Sequence, residues 1–225
     1  MIRAVIFDID GTIVDSNDAH ANAWVQAIRE TGRRVAFSRV RPLIGMGGDK
    51  LLPEVTGLSI ESPDGKAIAE RRGEIFATEF LPHLQPTRGA KQLLEWLRDE
   101  RMTLVIATSA EEKEVQGLLR VAGAEKMFES MATSDDAERS KPDPDIVAAA
   151  LERANCPADQ TIMVGDTPYD VEAARRTGID IIGLRSGGWS DAELHGAIAV
   201  YQDPADLVDH YDLSPFKRLA GARSV

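Results

Sequence analysis

Four short apolar runs, rich in β-branched residues and free of polar alternation, punctuate the chain at 4–7, 104–107, 161–164 and 180–184. Each ends at a polar or glycine turn. Runs of this kind read as strands buried on both faces of a parallel sheet. A fifth run at 197–200 and a weaker one at 131–133 extend that sheet. Helical patterns separate them. Residues 88–100 carry Leu93, Leu94 and Leu97, and 111–122 set Val115, Leu118, Leu119 and Ala122 on one stripe before Gly123. Residues 143–154 gather Ile146, Val147, Ala150 and Leu151, and 168–177 stop at Gly178, a helix-ending glycine. Strands alternating with helices of about 10–15 residues predict an α/β protein with a Rossmann-like, doubly wound parallel sheet.

One interval breaks the alternation. Residues 16–85 show helical patterns at 18–30, 49–55 and 66–80 and no strand signal. Gly32, Pro42, the glycines at 45, 47 and 48, Pro53, Pro63, Pro82 and Pro86 punctuate it. A crossover needs roughly a dozen residues, far fewer than this interval holds. The interval is therefore expected to be an inserted helical cap domain, with 1–15 and 86–225 forming the core. A length of 225 residues suits one large domain with a smaller insertion, at roughly 150 residues per domain.

Composition narrows the function classes. Hydrophobic residues at 43% and charged residues at 28% exclude a disordered chain, a collagen-like fibre and a disulfide-stapled miniprotein. The 26 basic and 37 acidic side chains leave a net charge of −11, which repels nucleic-acid backbones and anionic membranes. A lone cysteine, Cys156, cannot close an intramolecular disulfide and suits a reducing cytoplasm. The first apolar run is too short for a signal-peptide core, and no stretch reaches the ~18 apolar residues of a membrane helix. A soluble, cytoplasmic protein is expected, with neither nucleic acid nor membrane as partner. Its oligomeric state leaves no signature.

Ligands of open α/β sheets bind outside the carboxyl ends of the strands, so the residues just after each run are the informative ones. They are Asp8 and Asp10 after the first run, Thr108 and Ser109 after the second, and Asp166 and Asp170 after the third. Lys141 lies in a Ser-Lys-Pro-Asp-Pro loop ahead of a helix. Folded together, these ends bring four carboxylates against one lysine. So many like charges do not all stay ionised without a cation, and a hard divalent ion such as Mg²⁺ supplies it. Metal and lysine together then neutralise a phosphate while hydroxyl and backbone donors hold its oxygens. Asp-x-Asp at a strand end points both carboxylates to one side, so one attacks phosphorus and the other moves protons. The plainer readings are that Asp170 favours a helix dipole, Thr108 caps a helix and Lys141 is a solvated loop residue.

Phe7-Asp8-Ile9-Asp10-Gly11-Thr12, Thr108, Lys141-Pro142 and Gly165-Asp166 followed by Asp170 resemble the four ordered motifs of the haloacid dehalogenase-like superfamily. The helical insertion after the first motif is similar to the C1-capped subfamily of phosphoglycolate phosphatases, sugar-phosphate phosphatases and β-phosphoglucomutase. The resemblance implies that Asp8 is the nucleophile and a Mg²⁺ ligand, and Asp10 the general acid/base with its carbonyl on the metal. It implies that Thr108, the Ser109 N–H and Lys141 bind phosphate, that Asp166 completes the metal site and that Asp170 supports it. The implied activity is Mg²⁺-dependent hydrolysis of a small phosphorylated metabolite. A binding-only role would require a missing catalytic group, and none is missing.

Rivals turn on single residues. Haloacid dehalogenation does not use the second aspartate of Asp-x-Asp, and Asp10 is present. A phosphonatase needs a cap lysine, for which Lys50 and Lys66 are the candidates. A β-phosphoglucomutase-like mutase is the main alternative. It shares His20 and Trp24, but its distal phosphate-gripping arginine falls on Gly48 and its cap lysine near Arg72. His20, Lys50 and Arg72 are the cap candidates for substrate contact. The Gly-Met-Gly-Gly stretch at 45–48 reads as a cap turn facing substrate, because it lacks the ending of a phosphate loop. Arg71 reads as a solvated helix face, and Cys156 as structural.

Overall fold

The structure, a computed structural model, describes residues 1–217. Residues 218–225, which the sequence assigns to the second core segment, lie outside the described residues. The strands are β1 (Ala4–Phe7), β2 (Thr103–Ala107), β3 (Ser130–Ala132), β4 (Thr161–Gly165), β5 (Asp180–Leu184) and β6 (Ala199–Tyr201). They form one sheet in the order β3-β2-β1-β4-β5-β6, with every neighbouring pair parallel. The order reverses beside β1, which has β2 on one side and β4 on the other. Phe7 pairs with both Ile106 and Val164, so the chain leaves all three central strands at the same level.

The helices are α1 (Asn17–Glu30), α2 (Phe37–Val40), α3 (Gly48–Thr56), α4 (Pro63–Ile75), α5 (Ala90–Asp99), α6 (Glu112–Ala122), α7 (Asp145–Ala154), α8 (Pro168–Thr177) and α9 (Pro204–Asp209). Strand side chains alternate between two apolar layers. Val5, Phe7, Leu104, Ile106 and Val164 pack with Leu93, Leu97, Leu118 and Leu207 of α5, α6 and α9. Ala4, Ile6, Val105 and Met163 pack with Ile146, Val147, Ala150 and Ala174 of α7 and α8. Each fully buried aliphatic side chain contributes roughly 1.5–3 kcal/mol. Both faces are covered, which is why the runs lack polar alternation.

Between β1 and α5 the chain contributes only helical elements to the described fold. Trp24, Leu51, Leu52, Ile68, Ile75 and Phe76 of that interval are buried. The expected helix at 66–80 starts earlier, at Pro63, because Ser62 caps it by accepting from the Gly65 N–H at 3.1 Å. Its tail widens into a π-turn at Phe76–Phe80. The expected strand at 131–133 runs instead over Ser130–Ala132, because Thr133 leaves the ladder to form a capping box with Asp136. The last strand is shifted to Ala199–Tyr201, with Ile198 at its entry 45% exposed. No helix among the described residues is long and apolar enough to cross a membrane.

Candidate active site

Asp8 continues β1 for one residue, its N–H donating to the Val164 carbonyl at 3.0 Å. That bond fixes its carboxylate at the level where β2 and β4 end. Lys141, only 1% exposed, donates to Asp8 Oδ1 at 2.5 Å and lies 2.8 Å from Asp170 Oδ1. It is no solvated loop residue. Asp170 opens α8, where its Oδ2 accepts from the Thr167 N–H at 3.0 Å and the Thr167 hydroxyl at 2.7 Å. One Asp170 oxygen thus serves the α8 capping box while the other faces Lys141. Asp166, just past β4 and fully buried, accepts from Thr12 Oγ1 and Asn17 Nδ2, both at 2.9 Å.

Asp8, Asp166 and Asp170 each offer an oxygen within 4.8 Å of the others. Burial pushes the Asp8 carboxyl up to about 7, reinforced by Asp170 and Asp10 and opposed by Lys141. Burial likewise raises Asp166 well above the usual carboxylate range, with Asp8 and Asp170 adding to it. Burial disfavours the Lys141 ammonium, but the Asp170 and Asp8 carboxylates outweigh it and raise its pKa. Three buried carboxylates therefore cluster beside one ammonium, which pairs with Asp8 and Asp170. Such a set of hard oxygen donors with surplus negative charge fits Mg²⁺ or a similar divalent cation.

Asp10 turns its side chain away from this trio. Its Oδ1 accepts from Ser16 Oγ at 2.5 Å and meets His20 Nε2 at 2.7 Å. Burial would raise the Asp10 carboxyl, but His20, Ser16 and Arg72 together hold it below its ordinary value. Burial would lower His20, but Asp10 and then Glu114 outweigh it and raise its pKa. The His20 ring stacks on Phe76 at 3.9 Å between centroids, and its Nδ1 lies 4.0 Å from Glu114 Oε1. Glu114 also receives Arg72 Nη1 at 2.6 Å, and the guanidinium rests 5.2 Å from the centre of the Trp24 ring.

Asp10, His20, Trp24, Arg72 and Glu114 line one cleft together with Asp8, Thr108, Ser109 and the 45–48 turn. Thr108 is buried and accepts from the Ala110 N–H at 3.1 Å, while the Ser109 hydroxyl donates to the Gly45 carbonyl at 3.4 Å. Of the cap candidates, His20 and Arg72 are in the cleft and Lys50 is not among its lining. The Lys50 ammonium donates instead to the Ser140 carbonyl at 2.5 Å and Asp143 Oδ2 at 2.6 Å. It ties α3 to the loop that carries Lys141. Lys66 is exposed and paired with Glu61, and Arg71 pairs with Glu30 and Glu74 on the surface. Sequence reasoning missed Ser16, Asn17 and Glu114. The first two follow Asp10 directly into α1, a usable signal. Glu114 looks like any acidic residue in a helix's first turn.

The model of the family described as "Haloacid dehalogenase-like hydrolase" matches residues 5–184. The phosphoglycolate phosphatase of Pseudomonas fluorescens is 30% identical over 213 residues, 92% of this chain and 76% of that protein. The validoxylamine A 7′-phosphate phosphatase of Streptomyces hygroscopicus subsp. limoneus is 29% identical over 187 residues, 82% of this chain and 86% of its own. Among solved structures, a hydrolase from Pseudomonas syringae superposes with a TM-score of 0.87 at 32% identity, covering 94% of this chain and 98% of that one.

The Asp166 pocket yields a steric prediction. Gly11 has φ +76°, and a Cβ there would lie 2.2 Å from both Asn17 Nδ2 and Asp166 Oδ2. Gly32 has a similar φ of +80° with nothing within 4 Å. Gly32→Ala should therefore cost only the backbone strain, about 1 kcal/mol. Gly11→Ala should cost clearly more, as it also displaces two buried polar side chains. Equal urea midpoints for the two variants would refute this.

Proposed function

The chain belongs to the haloacid dehalogenase-like hydrolase family, and from that premise we propose that it is a Mg²⁺-dependent phosphatase. Its substrate is the phosphate monoester of a small metabolite, and its intermediate an aspartyl-phosphate on Asp8. The observation that carries this reading is the pairing at the cleft of Asp8, held by buried Lys141, with Asp10, held by His20 and Ser16. Two carboxylates in different surroundings suit two different roles.

In the proposed reaction an Asp8 oxygen attacks phosphorus as the ester P–O bond breaks. The phosphate anion brought beside Asp10 favours its protonated form, with the proton taken up from solvent on binding, and the leaving oxygen takes that proton. Because His20 and Ser16 both hold Oδ1, Oδ2 is left for that transfer. Asp10 then takes a proton from water, whose oxygen attacks phosphorus and releases Asp8 and inorganic phosphate. Lys141 screens the phosphoryl oxygens, and Thr108 with the Ser109 N–H donates to them. Asp8, Asp166 and the Asp10 carbonyl, with Asp170 in support, would hold Mg²⁺, which would neutralise and polarise the phosphate. Residues 16–85 act as a cap that excludes bulk water, over a core of 1–15 and 86–225. The acidic net charge and lone Cys156 favour a cytoplasmic enzyme of small molecules.

The Asp10–His20 pair also favours a second reading, a phosphomutase of the β-phosphoglucomutase type. That chemistry needs a second phosphate grip in the cap. At Gly48, where the mutase arginine would fall, a Cβ would already lie 2.9 Å from Ile60 Cδ1 and 3.1 Å from Trp24 Cζ2. Arg72 is engaged by Glu114. Water is therefore expected to take the second half-reaction.

Asp8→Asn should abolish turnover, because the amide is a poor nucleophile. Asp10→Asn should lower kcat by roughly 10²–10⁴-fold, the usual worth of a positioned proton donor. A wild-type rate for Asp8→Asn would mean direct attack by water. Mg²⁺ should raise Tm by binding only the folded chain, and EDTA should reverse both that rise and the activity. Full turnover in excess chelator would refute the cofactor. With β-glucose 1-phosphate, trace bisphosphate and Mg²⁺, free phosphate should accumulate faster than glucose 6-phosphate. The opposite order would establish the mutase.

A further inference from the structure

Glu114 has no part in the reaction just described, yet it lies at the junction of cap and core and lines the cleft. It stands in the first turn of α6, where a helix dipole favours a carboxylate. Its Oε2 takes Arg72 Nη1 from α4 at 2.6 Å, and its Oε1 faces His20 Nδ1 of α1 at 4.0 Å. The pair is largely removed from solvent, with side-chain exposures of 17% for Arg72 and 12% for Glu114. Trp24 holds the guanidinium from the other side, at 5.2 Å.

Among the described residues lining the cleft, Arg72 is the one permanently cationic side chain. A carboxylate or second phosphate on the leaving group would need that charge. Glu114 already neutralises it through Nη1, so an anion reaching the guanidinium meets a neutral ion pair in a site that also holds Asp8 and Asp10. The hydration such an anion gives up is then not offset by attraction. A neutral polyol makes no such demand. The rest of the distal lining, Trp24, Ile44, Met46 and the glycines of the 45–48 turn, carries no charge and suits such a group.

We propose that Glu114 is a specificity-determining residue, which cancels the Arg72 charge so that the cleft accepts neutral polyhydroxyl leaving groups and rejects anionic ones. The proposal rests on the phosphatase reading and names the substrate class for the same site.

The test compares kcat/KM for sorbitol 6-phosphate, 2-phosphoglycolate and p-nitrophenyl phosphate, the last of which reports transfer chemistry with no distal polar group. The wild-type enzyme should favour sorbitol 6-phosphate over 2-phosphoglycolate. Glu114→Gln keeps a hydrogen-bonding side chain beside Arg72 but drops the negative charge. It should raise the ratio of 2-phosphoglycolate to p-nitrophenyl phosphate turnover roughly tenfold or more, the scale of one pocket contact. Arg72→Met added to Glu114→Gln should return that ratio to the wild-type value. A purely structural role for Glu114, or one exerted through His20, would scale all three substrates together and overturn the proposal. Preference of the wild type for 2-phosphoglycolate would overturn it too, while leaving the phosphatase reading intact. Absence of turnover on all three in Mg²⁺ would remove both.

Discussion

One buried ammonium organises the strand-end face of this protein. Lys141 arrives on a loop between β3 and α7, yet its Nζ lies between Asp8, at the end of β1, and Asp170, at the start of α8. At 1% exposure it has exchanged hydration for these two carboxylates. Removing one member of such a group leaves an uncompensated buried charge, typically a loss of about 3–5 kcal/mol. The surroundings are built to prevent that. Thr167 fixes the other Asp170 oxygen through the α8 capping box. Asp49 and Lys50 of α3 hold Ser140 and Asp143 on either side of the Lys141 loop. Helix α3 therefore grips the very segment that delivers Lys141 to the strand ends.

The same economy appears on the Asp10 side. Ser16 and His20 both lie at the start of the insertion, and both end on the same Asp10 oxygen. Phe76 backs the imidazole, Glu114 faces its second nitrogen, and Arg72 closes the chain from α4. A displacement of α1 or α4 relative to the sheet would alter the surroundings of Asp10 directly. The strand ends and the helices of residues 16–85 thus meet through charged side chains as well as through one apolar cluster that holds Phe7 and Ile106 together with Ile28, Leu51 and Phe76.

Most of the core was legible because it obeys strong, local rules. Strands buried on both faces must be continuously apolar, and helices lying over them must carry apolar stripes. The parallel register then forces Asp8, Thr108 and Asp166 to one edge, so the residues following the runs could be read as a group. Three features resisted. Asp170 carries two roles because its two oxygens point to different partners, which no spacing rule separates. Lys50 looked available for an anion until the fold brought Ser140 and Asp143 to it across some 90 positions of sequence. Glu114 is invisible for the converse reason: an acidic residue in a helix's first turn is ordinary, and only the approach of Arg72 and His20 from the insertion changes its meaning. Contacts between distant segments decide what a charged side chain does, and hydrophobic periodicity does not report them.

Charge balance links these observations. A chain of net charge −11 is a poor collector of phosphates at long range. Any anion that binds must be drawn by local groups at the strand ends, where carboxylates outnumber the single lysine. Burial first, and the neighbouring carboxylates after it, raise the Asp8 and Asp166 carboxyls, with Lys141 opposing at Asp8. A divalent cation would reverse their shifts, restore an ionised Asp8 and turn a repulsive face into an attractive one. A cation and a phosphoryl group would then depend on one another at these strand ends, each offsetting the other's charge. The distal end of the cleft is already neutral, with Arg72 matched to Glu114 and His20 to Asp10. Attraction is concentrated where phosphorus would react, and the remainder of a ligand must be recognised by shape and hydrogen bonding.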